Sequence, residues 1–90
     1  MGTAIIKIKI MPKAPDTDLT IIEEKAKEII SKSTKSQIQS EKEPIAFGLT
    51  ALILTFTWDE ELGTDDMENA LRDLENVNSA EIIDMRRAFG

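Results

Sequence analysis

The chain has 90 residues, a formal net charge of −6, and neither cysteine nor histidine. A chain of this length buries only about 60–65% of the surface that its unfolded form exposes, so we expect one domain, residues 1–90, with one core. The lack of cysteine excludes disulfides and thiolate nucleophiles, and the lack of histidine removes the commonest general base and metal ligand. The acidic total disfavours general binding to nucleic acid, which requires Lys and Arg to neutralise phosphates.

The charge is unevenly distributed along the chain. Residues 1–42 contain eight lysines and six acids, whereas residues 43–90 contain three arginines and eleven acids. This asymmetry favours a protein partner with a basic surface. The N-terminal apolar residues alternate with lysines, unlike a signal peptide, and no run reaches the roughly 20 apolar residues that span a bilayer. We therefore expect a cytoplasmic protein without a membrane partner.

The first predicted elements are a strand and a helix. Residues 3–11 alternate and end at Pro12, which predicts a strand. Its two faces carry Ala4, Ile6, Ile8 and Ile10 on one side and Ile5, Lys7, Lys9 and Met11 on the other. After a loop with two prolines, apolar residues recur at helical spacing from Leu19 to Ile30. Asp16, Asp18 and Thr20 are candidate caps for this helix.

A polar edge strand and an apolar central strand are predicted next, joined as a hairpin. Residues 37–43 alternate weakly, and Pro44 suits only a sheet edge or a strand end. The chain then turns through Phe47 and Gly48 into residues 49–58. One face of this central strand carries Leu49, Ala51, Ile53, Thr55 and Thr57, and the other carries Thr50, Leu52, Leu54, Phe56 and Trp58. Neither face is fully polar, as expected for a sheet with helices on one side.

The last predicted elements are a second helix and a final strand. Thr64 or Asp65 is expected to cap a helix whose apolar face carries Met67, Ala70, Leu71 and Leu74. Asn76 and Asn78 are expected to end that helix, and residues 80–88 are predicted to form the final strand. Asp59, Glu60, Glu61, Asp65 and Asp66 lie between the central strand and this helix, but their spacing fits no EF-hand, so we expect a solvated loop and no metal or cofactor.

The order strand, helix, strand, strand, helix, strand predicts an α+β, ferredoxin-like split-βαβ fold with a four-stranded antiparallel sheet and two helices on one face. We further expect the first and third strands to be parallel in the middle of the sheet. That arrangement makes the turn at residues 46–49 a neighbour of the tail at residues 86–90.

Two groups of residues are candidates for a partner-binding site. Ala46, Phe47 and Gly48 form the hairpin turn, and Arg86, Arg87 and Phe89 give the tail two cations and an aromatic ring. Such residues are typical of interaction anchors. The alternatives are a solvated terminus and a turn aromatic that folds back onto the core.

The hairpin EPIAFGLTAL, the loop MPKAPDTDL and the closing IIDMRRAFG together resemble the archaeal beta subunits of translation elongation factor one. The resemblance covers essentially the whole chain. It implies a guanine-nucleotide exchange factor that binds elongation factor 1-alpha in its GDP-bound and nucleotide-free states, disturbs the magnesium and phosphate end of its site and releases GDP. Exchange of GDP for GTP then supports delivery of aminoacyl-tRNA to the ribosome.

The resemblance also implies roles for single residues. Phe47 and Gly48 match the aromatic–glycine pair of the family's hairpin, where eukaryotic relatives commonly have tyrosine. Those relatives carry a lysine near the C-terminus that reaches the magnesium site. Here no lysine follows Lys42, so Arg86 and Arg87 are the nearest cations, and an arginine is larger and planar. We expect Phe47 and one of these arginines to form a wedge, acting as a monomer, without bond-making catalysis and without direct contact to nucleic acid.

The competing interpretation is a small ferredoxin-like regulatory or ligand-binding module, because one fold supports many functions. An amino-acid sensor usually has glycine in the loop after the first strand, and residues 11–18 contain none. A metal chaperone needs a Cys-x-x-Cys pair there, and an acyl-phosphate hydrolase needs an arginine near the first strand. Neither is present in residues 1–42.

Overall fold

The computed structural model describes residues 2–89 and is built on one four-stranded sheet. In chain order its elements are β1 (Thr3–Pro12), α1 (Leu19–Ser31), β2 (Gln39–Pro44), β3 (Thr50–Asp59), α2 (Asp65–Arg72) and β4 (Val77–Phe89). The strands lie in the order β2-β3-β1-β4, and every neighbouring pair is antiparallel. This is the predicted ferredoxin-like, split-βαβ fold. Among residues 2–89, α1 and α2 both lack the length and the apolar character of a membrane-spanning helix.

The core lies between the two helices and one face of the sheet, as the strand patterns predict. Alternate residues of β1 and β3 face the helices because strand side chains alternate between faces. The buried cluster comprises Ala4, Ile6, Ile8, Ile10, Ile22, Ala26, Ile30, Leu52, Leu54, Phe56, Trp58, Met67, Leu71, Val77 and Ala80. On the opposite, open face, Ala51 and Ile53 are also buried but lie outside this cluster.

A short polar residue precedes each helix. Asp18 is the N-cap of α1, and its carboxylate accepts a hydrogen bond of 3.0 Å from the backbone N–H of Thr20. Thr64 precedes α2, and its hydroxyl donates to the Glu68 carboxylate at 3.0 Å. The first turn of α2 is acidic, where the positive end of the helix dipole favours negative charge.

The predicted parallel pairing of the first and third strands is wrong. β1 and β3 are antiparallel neighbours, with Thr3 opposite Asp59 and Ile10 opposite Leu52. The crossover through α1 makes β2 parallel to β1, and the hairpin then reverses the chain. β3 therefore runs antiparallel to both of its neighbours.

The final strand begins earlier than predicted. β4 starts at Val77, so Asn78 lies within the strand, whereas Asn76 forms the break with a left-handed backbone (φ 70°). The register of β4 against β1 shifts beside Ile83, which is exposed, as is Met85. The bulged edge strand therefore leaves these apolar side chains at the surface.

The buried face of the central strands should dominate stability. Ile8 is fully buried on β1, so Ile8→Ala is expected to lower the free energy of unfolding by about 2–5 kcal/mol through lost burial and a residual cavity. Ile21 on α1 is half-exposed, and Ile21→Ala should change it by less than about 0.5 kcal/mol. Denaturant unfolding measures both, and equal losses would contradict this position of the core.

Candidate functional site

The hairpin between β2 and β3 ends in a tight turn at Ala46–Gly48. The Ile45 N–H donates to the Leu49 carbonyl at 2.7 Å, which closes the turn at its base. Phe47 has φ 64° and ψ 28°, and Gly48 has φ 77°, so two successive residues adopt left-handed conformations. Glycine takes this conformation readily, whereas an aromatic residue does so at a cost. The turn geometry thus sets the direction in which the Cα–Cβ bond of Phe47 leaves the backbone.

Phe47 does not fold back onto the core. Its side chain is 94% exposed, the most exposed of the large apolar residues in the described chain. Gly48 lies beside the loop after β1, where an added Cβ would stand 3.9 Å from Pro15. A large apolar ring held in solvent by a strained backbone contributes nothing to the core, and such residues commonly mark contact surfaces. The Phe47 tip is therefore a candidate contact point.

The cationic end of β4 is held by ion pairs. Arg87 donates from Nε to Glu60 Oε1 at 2.9 Å and from Nη2 to Glu60 Oε2 at 3.2 Å, a bidentate pair between β4 and the residue that follows β3. Arg86 pairs within its own strand, with Nε 3.0 Å from Asp84 Oδ2. Hydrogen bonding to Glu60 and then its negative charge raise the pKa of the Arg87 guanidinium.

The two arginines project from opposite faces of the sheet. Arg87 is opposite Ala4, which belongs to the buried, helix-covered face, whereas Arg86 is opposite Ile5 on the open face. Phe89 ends β4 opposite Thr3, and its side chain is outside the described part of the chain, as is Gly90. Because they lie on opposite faces, the two arginines cannot both contact the same point on a partner.

The hairpin turn and the C-terminal tail are not neighbours, contrary to the prediction. Pro44 pairs with Thr50 at the tip end of β3, whereas Thr3 pairs with both Asp59 and Phe89 at the other end. Ten residues of β3 separate these ends, which corresponds to roughly 30 Å at about 3.3 Å per residue. The molecule measures 41 × 21 × 19 Å, so the two candidate groups lie toward opposite ends of its sheet.

The acidic residues from the end of β3 to the start of α2 occupy a turn, an ion pair and a helix start. Asp59 accepts a hydrogen bond from the Glu61 N–H at 2.9 Å, Glu60 binds Arg87, and Asp65 and Asp66 lie in the first turn of α2. Within residues 2–89 no group of three or more acidic side chains is arranged to hold a metal ion. Glu60 is the residue that the sequence interpretation missed. Its place in an acidic run gave no signal, because its partner is 27 residues away.

Trp58 lies at the end of β3 close to this cationic end. It is buried against Phe56 in an edge-to-face arrangement, with ring centroids 5.9 Å apart. Its Nε1 is buried without a hydrogen-bond partner in the described chain. Trp58 also lines a shallow depression together with Glu60, Met85 and Arg87. As the only tryptophan, it reports on this end of the sheet.

These features define a small α+β domain with an exposed aromatic tip at one end of a sheet and a braced cation at the other, the form of a protein-binding module. Comparison with known families is specific: residues 5–88 match the EF-1 guanine nucleotide exchange domain. The chain belongs to this family. It is a guanine-nucleotide exchange factor for elongation factor 1-alpha and acts in translation elongation.

Relatives of similar length carry the same resemblance. A protein named elongation factor 1-beta from Methanosarcina barkeri is 42% identical over 88 residues, covering 97% of this chain and 99% of the relative. One of the same name from Methanothermobacter thermautotrophicus is 39% identical, covering 97% and 98%. Another from Methanocaldococcus jannaschii is 37% identical, covering 98% and 100%. The predicted family is thus confirmed.

The left-handed turn should require glycine at one position. Gly48→Ala is expected to lower the free energy of unfolding by about 1–2 kcal/mol, because a Cβ is strained at φ 77°. Gly63→Ala is the matched control, since an added Cβ there meets nothing within 4 Å and its φ is not positive. Thermal and denaturant unfolding compare the two. A loss at Gly63 as large as that at Gly48 would contradict the turn geometry.

Proposed function

We propose that this protein, residues 1–90 acting as one domain, contacts elongation factor 1-alpha through the two ends of its sheet. Phe47 serves as an apolar anchor at one end, with Ala46 and Gly48 shaping its turn. Arg86 or Arg87 supplies a cation at the other, where Phe89 completes the strand. The observation that carries this proposal is the 94% exposure of Phe47 on a left-handed backbone, about 30 Å along the sheet from the arginines.

This arrangement replaces the single wedge expected from the sequence. Phe47 and the arginines cannot enter one pocket together, because the length of β3 separates them. Two separated contacts instead set the orientation of the domain on its partner. The aromatic anchor then supplies affinity, while the cation acts at the magnesium and phosphate end of the nucleotide site.

In the proposed mechanism, exchange works by thermodynamic linkage. A factor that binds the nucleotide-free partner more tightly than the GDP-bound partner weakens the binding of GDP by the same ratio. Each tenfold change in affinity corresponds to about 1.4 kcal/mol of binding free energy. A cation near the acidic magnesium ligands offsets their charge and leaves the phosphates poorly held. The protein makes and breaks no covalent bond in this sequence of steps, and it binds both the GDP-bound and the nucleotide-free partner.

Other features support a protein partner over nucleic acid. The open face of the sheet shows no aromatic residue among the described side chains, so it lacks the stacking platform of RNA-recognition sheets. Its lysines are matched by acids, since Lys7 lies opposite Asp84 and Lys9 opposite Glu81. These features favour an absence of direct contact to nucleic acid. We also propose that the protein acts as a monomer in the cytoplasm.

Exchange activity is tested by release of a fluorescent GDP analogue from archaeal elongation factor 1-alpha in excess unlabelled nucleotide. We expect release to accelerate with the concentration of this protein and to saturate. The titration gives a maximal rate and a half-saturating concentration. Absence of both acceleration and binding would contradict the function.

Phe47→Ala removes the proposed apolar anchor and leaves both arginines unchanged. Loss of a buried aromatic contact in the complex should raise the half-saturating concentration about tenfold, as for interface anchors that contribute more than about 1 kcal/mol. Thermal stability should be unchanged or slightly higher, because Phe47 makes no core contact. Ile83→Ala is the control, since Ile83 is an exposed apolar residue in the middle of β4. Similar effects of the two substitutions would argue against an anchor at the tip.

A further inference from the structure

Three segments that are distant in sequence meet at the cationic end of the sheet. The Glu60 N–H donates to the Gly2 carbonyl at 3.0 Å, which joins the residue before β1 to the residue after β3. The Glu60 carboxylate in turn accepts the two hydrogen bonds from Arg87 on β4. We call Gly2, Glu60 and Arg87 the clasp. It ties the start of β1 and the end of β3 to the end of the edge strand.

The clasp requires a glycine for space. A Cβ added at Gly2 would stand 2.6 Å from Glu60 Oε2 and 2.9 Å from Glu60 Cδ. Both distances are shorter than real Cβ contacts allow, so the carboxylate would have to move. The requirement at Gly2 comes from the space that the Glu60 carboxylate occupies.

The clasp also fixes how Arg87 is presented. Glu60 binds the side of the guanidinium formed by Nε and Nη2, and Nη1 makes no hydrogen bond within the described chain. A guanidinium held by one edge keeps its other edge available for a carboxylate or phosphate. Arg86, in contrast, is more exposed and paired through a single nitrogen to a residue of its own strand. Its side chain is therefore less constrained.

We propose that Glu60 is a positioning residue for exchange and that it selects Arg87 as the cation that meets the acidic and phosphate groups of the partner's nucleotide site. Gly2, which has no Cβ, leaves the space that the Glu60 carboxylate occupies. This proposal rests on the function proposed above and adds to it one cation and the group that aims it. Glu60 acts through Arg87 and does not itself touch nucleotide.

The first test replaces the carboxylate by an amide. Glu60→Gln replaces one of the two acceptor oxygens by an NH2 donor, so at most one hydrogen bond from Arg87 remains and the bidentate ion pair is lost. We expect the maximal exchange rate to fall by about fivefold, the upper range for an exposed ion pair, with an unchanged half-saturating concentration. Asp84→Asn is the matched control, because it also removes one negative charge and one arginine ion pair on β4. It should leave exchange unchanged.

The second test moves the carboxylate without removing any charge. Gly2→Ala displaces the flexible end of Glu60, so it should lower the maximal rate with little effect on the melting temperature. Glu60→Ala shortens the obstructing side chain, and adding Gly2→Ala to it should cause no further loss. In the free protein, emission of Trp58 should report the altered surroundings of the clasp in Gly2→Ala, because Trp58 lines the same depression as Glu60 and Arg87.

Arginine variants distinguish the choice of Arg87 as the cation from the positioning role of Glu60. We expect Arg87→Ala to lower the maximal rate more than Arg86→Ala, and Glu60→Gln to add nothing in the Arg87→Ala background, since the residues act as one unit. Additive losses, or normal exchange in Glu60→Gln despite a defect in Arg87→Ala, would overturn the positioning role. A defect confined to Arg86→Ala would overturn the choice of cation. If neither arginine affects the maximal rate, the cationic contact of the proposed function itself fails.

Discussion

The antiparallel pairing of β1 with β3 is the constraint on which the rest of this molecule depends. These two strands occupy the middle of the sheet and supply most of its buried side chains, including Ile6, Ile8, Leu52 and Leu54. Their pairing places Thr3 beside Asp59 and, through β4, beside Phe89. Because the strands are rigid and nearly as long as the molecule, this register also fixes where the hairpin turn and the last strand end. The pairing of the core strands therefore determines where both candidate sites lie.

In the proposed function, this placement separates the two points at which the domain contacts its partner. One end presents an apolar ring and the other a cation, with about 30 Å of sheet between them. Such a spacing suits contact with a partner larger than the domain, where each end meets a different part of the partner's surface. In the proposed function, apolar burial at one end supplies affinity, and the cation at the other end uses it to destabilise bound nucleotide. A linkage mechanism needs this coupling, since binding energy must favour the nucleotide-free state.

The two ends obtain their preorganisation by different physical means. At the tip, Phe47 lies in solvent on two successive left-handed residues. At the cationic end, side-chain pairing restrains Arg87, whose long side chain would otherwise sample many rotamers. In both cases the free protein bears part of the ordering cost before the partner arrives, which is how preorganised surfaces gain affinity or rate.

The elements, their apolar faces, the hairpin turn and the family could be predicted from the sequence, because alternation, helical spacing, Gly and Pro are local properties of the chain. The sequence also identified Phe47, Arg86 and Arg87 as candidate residues. Only the folded chain shows that Phe47 and the arginines lie at opposite ends, that Asn78 belongs to β4, and that Glu60 binds Arg87. Strand direction, register and ion pairing join residues far apart in the chain, and no short pattern records them. Even the left-handed conformation at Phe47 follows from the hairpin as a whole, since an aromatic residue by itself disfavours it.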